Sequence, residues 1–229
     1  MNKPLTLLPA VAAFLVISAC ADRTVSGPTL DASRVSPAAS ASSGLELHPS
    51  GFGENSYAAW KAQEGRPDSR GGANMALYFQ KFTATTTEAA GIAVITGFEG
   101  QSLSAITGLS WEHRIDGWCG AGAPRWTFIV ADASGDRGVI HLGCAASVHT
   151  PTTDPNWIRD SYAFPGGIDA SLIQPLSQTF DATTGVTISQ LLIVFDEGNE
   201  FGPTSGFVYL DNITVNGKVF TSPGDNGTN

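Results

Sequence analysis

The chain has 229 residues, a formal net charge of −9 and no Lys/Arg cluster, which argues against phosphate backbones and anionic lipid surfaces as partners. Nucleic acid is therefore set aside, and neutral ligands stay open. With 26 glycines, abundant Ser and Thr and only 14% charged residues, the composition fits a secreted all-β domain better than a helical one.

Met1-Asn2-Lys3 opens the chain with one positive charge, and an apolar run follows from Leu5 to Ile17. Small residues then lead to Cys20. This is the layout of a secretory signal, because the apolar run falls short of the ~20 residues that span a bilayer. Ile17-Ser18-Ala19-Cys20 resembles the lipobox of bacterial lipoproteins. The resemblance implies cleavage before Cys20, lipidation of its thiol and a membrane partner reached through that lipid. Ala21, rather than Asp, follows the cysteine, which in a Gram-negative host implies the outer membrane as the location in the cell envelope. On the residues alone, simple cleavage after Ala19 with a free Cys20 thiol is the alternative.

Residues 1–19 are thus read as the signal and 20–44 as a tether. The tether is rich in Ser, Ala, Thr and Pro and too poor in apolar residues to offset its ordering entropy. Residues 45–221 read as one folded unit, long enough for one core, and 222–229 as a polar tail. One or two helical turns are expected around Ser56 to Gln63. Strand signals follow at Met75 to Phe82, Ile92 to Thr96 and Leu103 to Arg114. Trp126 to Val130 and Val139 to Leu142 flank Ser134-Gly135-Asp136 and read as a hairpin. Val186 to Phe195 is apolar and β-branched, as a central strand requires. Phe207 to Val215 comes next. Asn216-Gly217 then precedes Lys218-Val219-Phe220, and Asn-Gly between such runs signals a tight hairpin because both residues must take positive φ. Short strands separated by turn residues predict an all-β, antiparallel β-sandwich or barrel.

Gly206-Phe207-Val208-Tyr209-Leu210-Asp211-Asn212-Ile213-Thr214-Val215-Asn216-Gly217 resembles the last long strand of bacterial jelly-roll modules. These are the galactose-binding-like sandwiches that include many carbohydrate-binding modules. The resemblance implies a β-sandwich of jelly-roll type, a glycan ligand, and a structural calcium held in part by Asp211. By residue chemistry alone Asp211 reads rather as a capping or turn acid, since one carboxylate is far short of the 6–8 oxygens calcium takes.

Cys119 and Cys144 are the remaining cysteines. In an exported chain they read as one disulfide closing a loop of about 25 residues, worth ~3 kcal/mol by loop entropy. Two free buried thiols are the alternative, and neither belongs to a Cys-x-x-Cys metal pair. Between Trp111 and Trp126 lies a Gly/Ala-rich loop carrying Trp118. A flat indole can stack on the C–H face of a sugar while Arg114, Asp116 and Arg125 bond its hydroxyls. Against this, Trp118 can pack over the disulfide and Arg125 can pair with an acid. Trp157 and Arg159 follow a turn and either border the same face or, for Trp157, point into the core.

Gly-x-Ser-x-Gly, Walker and dinucleotide motifs are absent. The leading expectation is therefore a non-catalytic, surface-anchored binding module with glycan as its ligand class. A glycoside hydrolase or lyase using acids among Glu112, Asp116, Asp196 and Glu197 is the first alternative. A structural envelope protein that binds another protein is the second.

Overall fold

In the computed structural model, residues 44–67 and 73–225 are described. Cys20 and the residues expected to form the signal and the tether, up to 43, lie outside them, as do residues 226–229 of the expected tail. The strands are β1 (Glu46–Phe52), β2 (Ser56–Lys61), β3 (Ala76–Lys81), β4 (Ala90–Thr96), β5 (Gly108–Arg114), β6 (Arg125–Ala131) and β7 (Arg137–Gly143). They continue as β8 (Val148–Pro151), β9 (Trp157–Ala163), β10 (Gln174–Pro175), β11 (Thr187–Phe195), β12 (Phe207–Val215) and β13 (Lys218–Phe220). One sheet runs β1-β4-β11-β6-β7-β10; the other runs β2-β3-β12-β5-β9-β8, with β13 beside β12. Every strand pair is antiparallel, and most neighbours in a sheet are distant in sequence. The result is an antiparallel β-sandwich of jelly-roll type, as the sequence predicts.

Alternation along the strands fills the space between the sheets. Leu77 and Phe79 of β3, Leu109 and Trp111 of β5, Trp126 and Phe128 of β6, Leu191, Ile193 and Phe195 of β11, and Val208 and Leu210 of β12 share one core. At its centre Trp111 from one sheet stacks on Trp126 from the other, with ring centroids 4.9 Å apart and planes 20° apart. Neither ring is exposed. As expected, β11 is central, bonded to β4 on one side and β6 on the other. Asn216 and Gly217 both take positive φ (52° and 80°), closing the β12–β13 hairpin.

Two expectations need correction. Ser56 to Lys61 is strand β2 and not helix, because Ala58 packs into the core while Tyr57 faces away, and all six residues pair with β3. Leu103 to Arg114 is not one strand. Leu103–Ala105 is a single 3-10 turn that buries Leu103, and the strand begins only at Gly108.

Trp126→Ala removes one half of the stack that joins the sheets. It is expected to cost about 3–5 kcal/mol, in line with other buried aromatic truncations, as measured by denaturant unfolding of the native and substituted chains.

Candidate functional site

Paired residues on antiparallel strands point to the same side of a sheet. The outward set of the second sheet therefore follows from its register. Tyr57 and Lys61 come from β2, Tyr78 and Gln80 from β3, and Phe207, Tyr209 and Asp211 from β12. Glu112 and Arg114 come from β5, and Trp157 and Arg159 from β9. One face of the molecule thus holds four aromatic rings on three adjacent strands, continued by charged side chains on the next two.

The rings form one cluster. Tyr78 lies at its centre, 5.8 Å from Tyr57, 6.3 Å from Phe207 and 4.7 Å from Tyr209, centroid to centroid. Tyr78 is buried by its neighbours, whereas Tyr57, Phe207 and Tyr209 are half-buried and keep ring surface toward solvent. Burial also pushes the Tyr78 phenol above its ordinary range, with Tyr57 and Tyr209 adding to the effect, so it stays a neutral hydroxyl. It donates to Gln80 Oε1 at 3.1 Å. Lys61 Nζ sits 5.4 Å from the Tyr57 centroid and 5.7 Å from that of Tyr78. On the other side the Arg114 guanidinium lies 3.7 Å over the Tyr209 ring. Arg114 is fixed there by Asp116, at 2.7 and 3.1 Å, and by the Glu64 carboxylate at 2.6 Å.

The segment after β2 folds back over this face. Gly65 comes so close to Met75 and Asp211 that a Cβ would stand 2.1 Å from the Met75 carbonyl oxygen, so only glycine fits. Arg66 then docks twice. Its backbone N–H donates to Asp211 Oδ2 at 2.7 Å, and its guanidinium reaches Glu112 Oε2 at 2.5 Å and Thr153 Oγ1 at 2.7 Å. Asp211 and Glu112 are direct cross-strand neighbours. Immediately after Asp211 the ladder is interrupted, Asn212 takes φ 47°, and its side-chain amide turns to Glu112 at 3.0 Å. The Asp-Asn step that resembles the jelly-roll family is thus a bulge.

This geometry does not suit calcium at Asp211. Its two oxygens accept N–H groups, from Arg66 on Oδ2 and from Asn212 on Oδ1 at 2.6 Å, and the neighbouring Glu112 is held by a guanidinium. A cation there would face amide hydrogens and a positive charge. The carboxylate anchors the overlying segment instead. Burial pushes its pKa up to about 6, with Glu112 adding to the rise and the two amide donors opposing it.

The structure brings four of the residues expected at a ligand site onto this face: Arg114, Asp116, Trp157 and Arg159. Trp157 is only 4% exposed, so its ring offers no free surface for stacking. Arg159 is more open and lies 3.6 Å from Glu112. The other two residues lie elsewhere. Arg125 is engaged by both oxygens of Asp196 and donates to the Gly122 carbonyl at 2.7 Å, so it pairs with an acid. Trp118 sits in the loop beyond β5, where its N–H donates to the Phe207 carbonyl at 2.8 Å and its indole N–H to Glu197 Oε2. Its ring stacks on the exposed Phe201 at 5.6 Å. The Cys119–Cys144 disulfide is formed and closes this loop. The four acids considered for catalysis are each bound to an N–H donor: Glu112 to Arg66, Asp116 to Arg114, Asp196 to Arg125 and Glu197 to Trp118.

Tyr57, Tyr78, Phe207 and Tyr209 were not selected from the sequence as site residues. The signal lies in β12, where Phe207 and Tyr209 occupy the positions between the core residues Val208 and Leu210. Two large aromatics at the outward positions of one strand depart from the polar-out alternation of a solvated sheet face.

No family model matches the chain, and no curated protein matches it. Among solved structures it is similar to the family 11 carbohydrate-binding module of the cellulosomal cellulase Lic26A-Cel5E of Clostridium thermocellum. The identity is 15%, 75% of this chain and 86% of that one are covered, and the TM-score is 0.38. It is also similar to the family 11 carbohydrate-binding module from Clostridium thermocellum in complex with a β-1,3-1,4-mixed-linked tetrasaccharide. There the identity is 14%, the coverage 80% and 99%, and the TM-score 0.40. Similarity at this level carries no site residue from one chain to the other.

The raised pKa of Asp211 makes a stability prediction. Between its unfolded value of 3.8 and about 6, the folded chain holds a proton that the unfolded chain has released. Stability from this group is therefore full at low pH and falls as pH rises through 6. Unfolding free energy at pH 5 minus that at pH 7 should be more positive in the native chain than in Asp211→Asn, by about 1 kcal/mol. Equal differences would mean that the carboxyl titrates normally.

Proposed function

We propose that the β-sandwich is a non-catalytic carbohydrate-binding module whose ligand lies on the outer face of the second sheet. The observation that carries this reading is the cluster of Tyr57, Tyr78, Phe207 and Tyr209, with ring surface toward solvent and charged side chains at its margins. Sugar rings are amphipathic in the matching sense. Their axial C–H groups form apolar patches that lie flat on an aromatic ring, and their equatorial hydroxyls point sideways to polar partners. Phenol hydroxyls, Gln80, Lys61, Arg114 and Asp116 supply donors and acceptors around the rings. The face carries both signs of charge and is built on strands, so it is rigid before a ligand arrives.

In this reading the module is displayed on a membrane. A lipid on Cys20 holds the chain at the cell envelope, at the outer membrane where the host has one, and residues 21–43 supply the reach between lipid and domain. The support is the lipobox-like Ile17-Ser18-Ala19-Cys20 directly after a short apolar run. Expression of the full chain with a labelled fatty acid tests this. Label should enter the native chain and be lost in Cys20→Ser, and equal labelling of both would remove the anchor.

The glycan reading is tested by screening the chain against soluble and insoluble polysaccharides. Binding to at least one polymer is expected, and Tyr209→Ala should weaken it by about tenfold or more, with an unchanged far-UV spectrum. Trp118→Ala separates the loop from the face: binding that survives it and fails in Tyr209→Ala places the ligand on the sheet. A folded chain that binds no polymer would turn the face over to a protein partner.

A further inference from the structure

We propose that Cys119, Cys144, His113 and Asp160 form a site for a soft divalent cation of the zinc class, available only when the disulfide is reduced. The inference is independent of the glycan reading, since none of these residues belongs to the aromatic face.

The four residues are assembled by the fold. His113 is on β5, Asp160 on β9, Cys144 follows β7, and Cys119 lies in the loop between β5 and β6. One donor atom from each lies within 4.8 Å of the others, and all but the half-buried Cys119 are buried. Asp160 has a side chain with no exposure, held without help from the cysteines. Its Oδ2 accepts from Trp111 Nε1 at 2.8 Å and His113 Nδ1 at 2.5 Å, and its Oδ1 from His149 Nδ1 at 2.6 Å. Cys144 Sγ stands 3.4 Å from the same Oδ2. A disulfide sulfur has no hydrogen, so it adds no donor to Oδ2, whose partners are the N–H groups of Trp111 and His113. Unlike the backbone amides on Asp211, the His113 nitrogen can give up its proton and become a ligand itself.

In the disulfide form the sulfurs are neutral and ligate poorly. A dithiol reductant changes that. Two electrons from it break the S–S bond and, with two protons, leave two cysteine thiols, while the dithiol closes to its own disulfide. A divalent cation then displaces the two thiol protons to solvent and gains two thiolates, and His113 Nδ1 gives up the proton it shares with Asp160 Oδ2, so that both atoms can turn to the cation. Two sulfurs, one imidazole nitrogen and one carboxylate oxygen make a four-donor set of the zinc type. Tetrahedral zinc with bonds of about 2.0–2.3 Å needs the two sulfurs, bonded to each other in the disulfide, and the donors of His113 and Asp160, 2.5 Å apart, to separate to roughly 3–4 Å, which reduction permits for the sulfurs. His149, bonded to the far oxygen of Asp160, becomes an outer residue that orients a ligand.

The test uses the full chain with Cys20→Ser, which leaves Cys119 and Cys144 as its two cysteines, and cobalt(II) as the probe. After anaerobic reduction with a dithiol and its removal, one equivalent of cobalt should give thiolate-to-cobalt absorption in the near ultraviolet. Tetrahedral bands should appear in the visible, and zinc should abolish both. The disulfide form should give neither. His113→Ala should lose the tetrahedral bands, and His149→Ala should keep them with affinity lowered by roughly tenfold. If reduction itself unfolds the chain, recovery of the native near-UV circular dichroism on adding zinc supports the site, and failure to recover overturns it. A reduced, folded chain that gives no thiolate bands with cobalt, or bands that persist when both Cys119 and Cys144 are serine, also overturns it.

Discussion

Trp111 and Trp126 meet face to face between the two sheets, and the positions of the other elements follow from that contact. Each is fully buried on a strand near the middle of its own sheet, and together they set the distance that Phe79, Phe128, Leu191 and Leu210 must fill. Close packing leaves no slack at such a contact, so the sheets cannot slide without opening a cavity. The stack also orients chemistry at its edge. The Trp111 indole N–H is bonded to Asp160, and Asp160 in turn holds His113 and His149 beside the disulfide. The aromatic core and the buried polar cluster are thus one mechanical unit.

The outer face of the second sheet depends on a different constraint, the burial of charge. Asp211 and Glu112 stand opposite each other on neighbouring strands, an arrangement that costs free energy unless donors meet both. Arg66 meets both, with its amide on one and its guanidinium on the other. The segment after β2 is thereby tied down across β12 and β5, and Glu64 comes with it to hold Arg114 over Tyr209. The margin of the aromatic cluster is therefore set by an ion-pair network several strands wide. The same network engages Glu112 and Asp116 in structure, while Asp196 and Glu197 are held apart from it by Arg125 and Trp118.

Much of the fold was legible because its signals are local. The β-rich runs of β6 and β7 around their turn cluster, the apolar run of β11 and the Asn-Gly turn at 216–217 each reflect a backbone requirement that neighbouring residues satisfy. Ser56 to Lys61 was misread because Tyr57-Ala58-Ala59-Trp60 has no strong period, and Ala is a helix former until a neighbouring strand claims its backbone. The site was harder. Arg114 and Asp116 were found as residues but not as the edge of an aromatic face, since Tyr57, Tyr78 and Tyr209 come together only through the strand order β2-β3-β12.

The sequence by itself determined the elements of this protein: an acidic chain, strands with one apolar side, and two cysteines placed to pair. These depend on composition, on period and on short-range backbone geometry, all of which are written along the chain. The tertiary structure alone decided which side chains share a face and which charges meet. It took Arg125 to Asp196, gave Asp211 to backbone donors, covered Trp157 and gathered four rings from three strands. Those outcomes depend on the strand order, which joins residues as far apart as Arg125 and Asp196, 71 positions, and Arg66 and Asp211, 145 positions. Side-chain function in a sandwich is set by cross-strand neighbours, and a linear sequence does not name them.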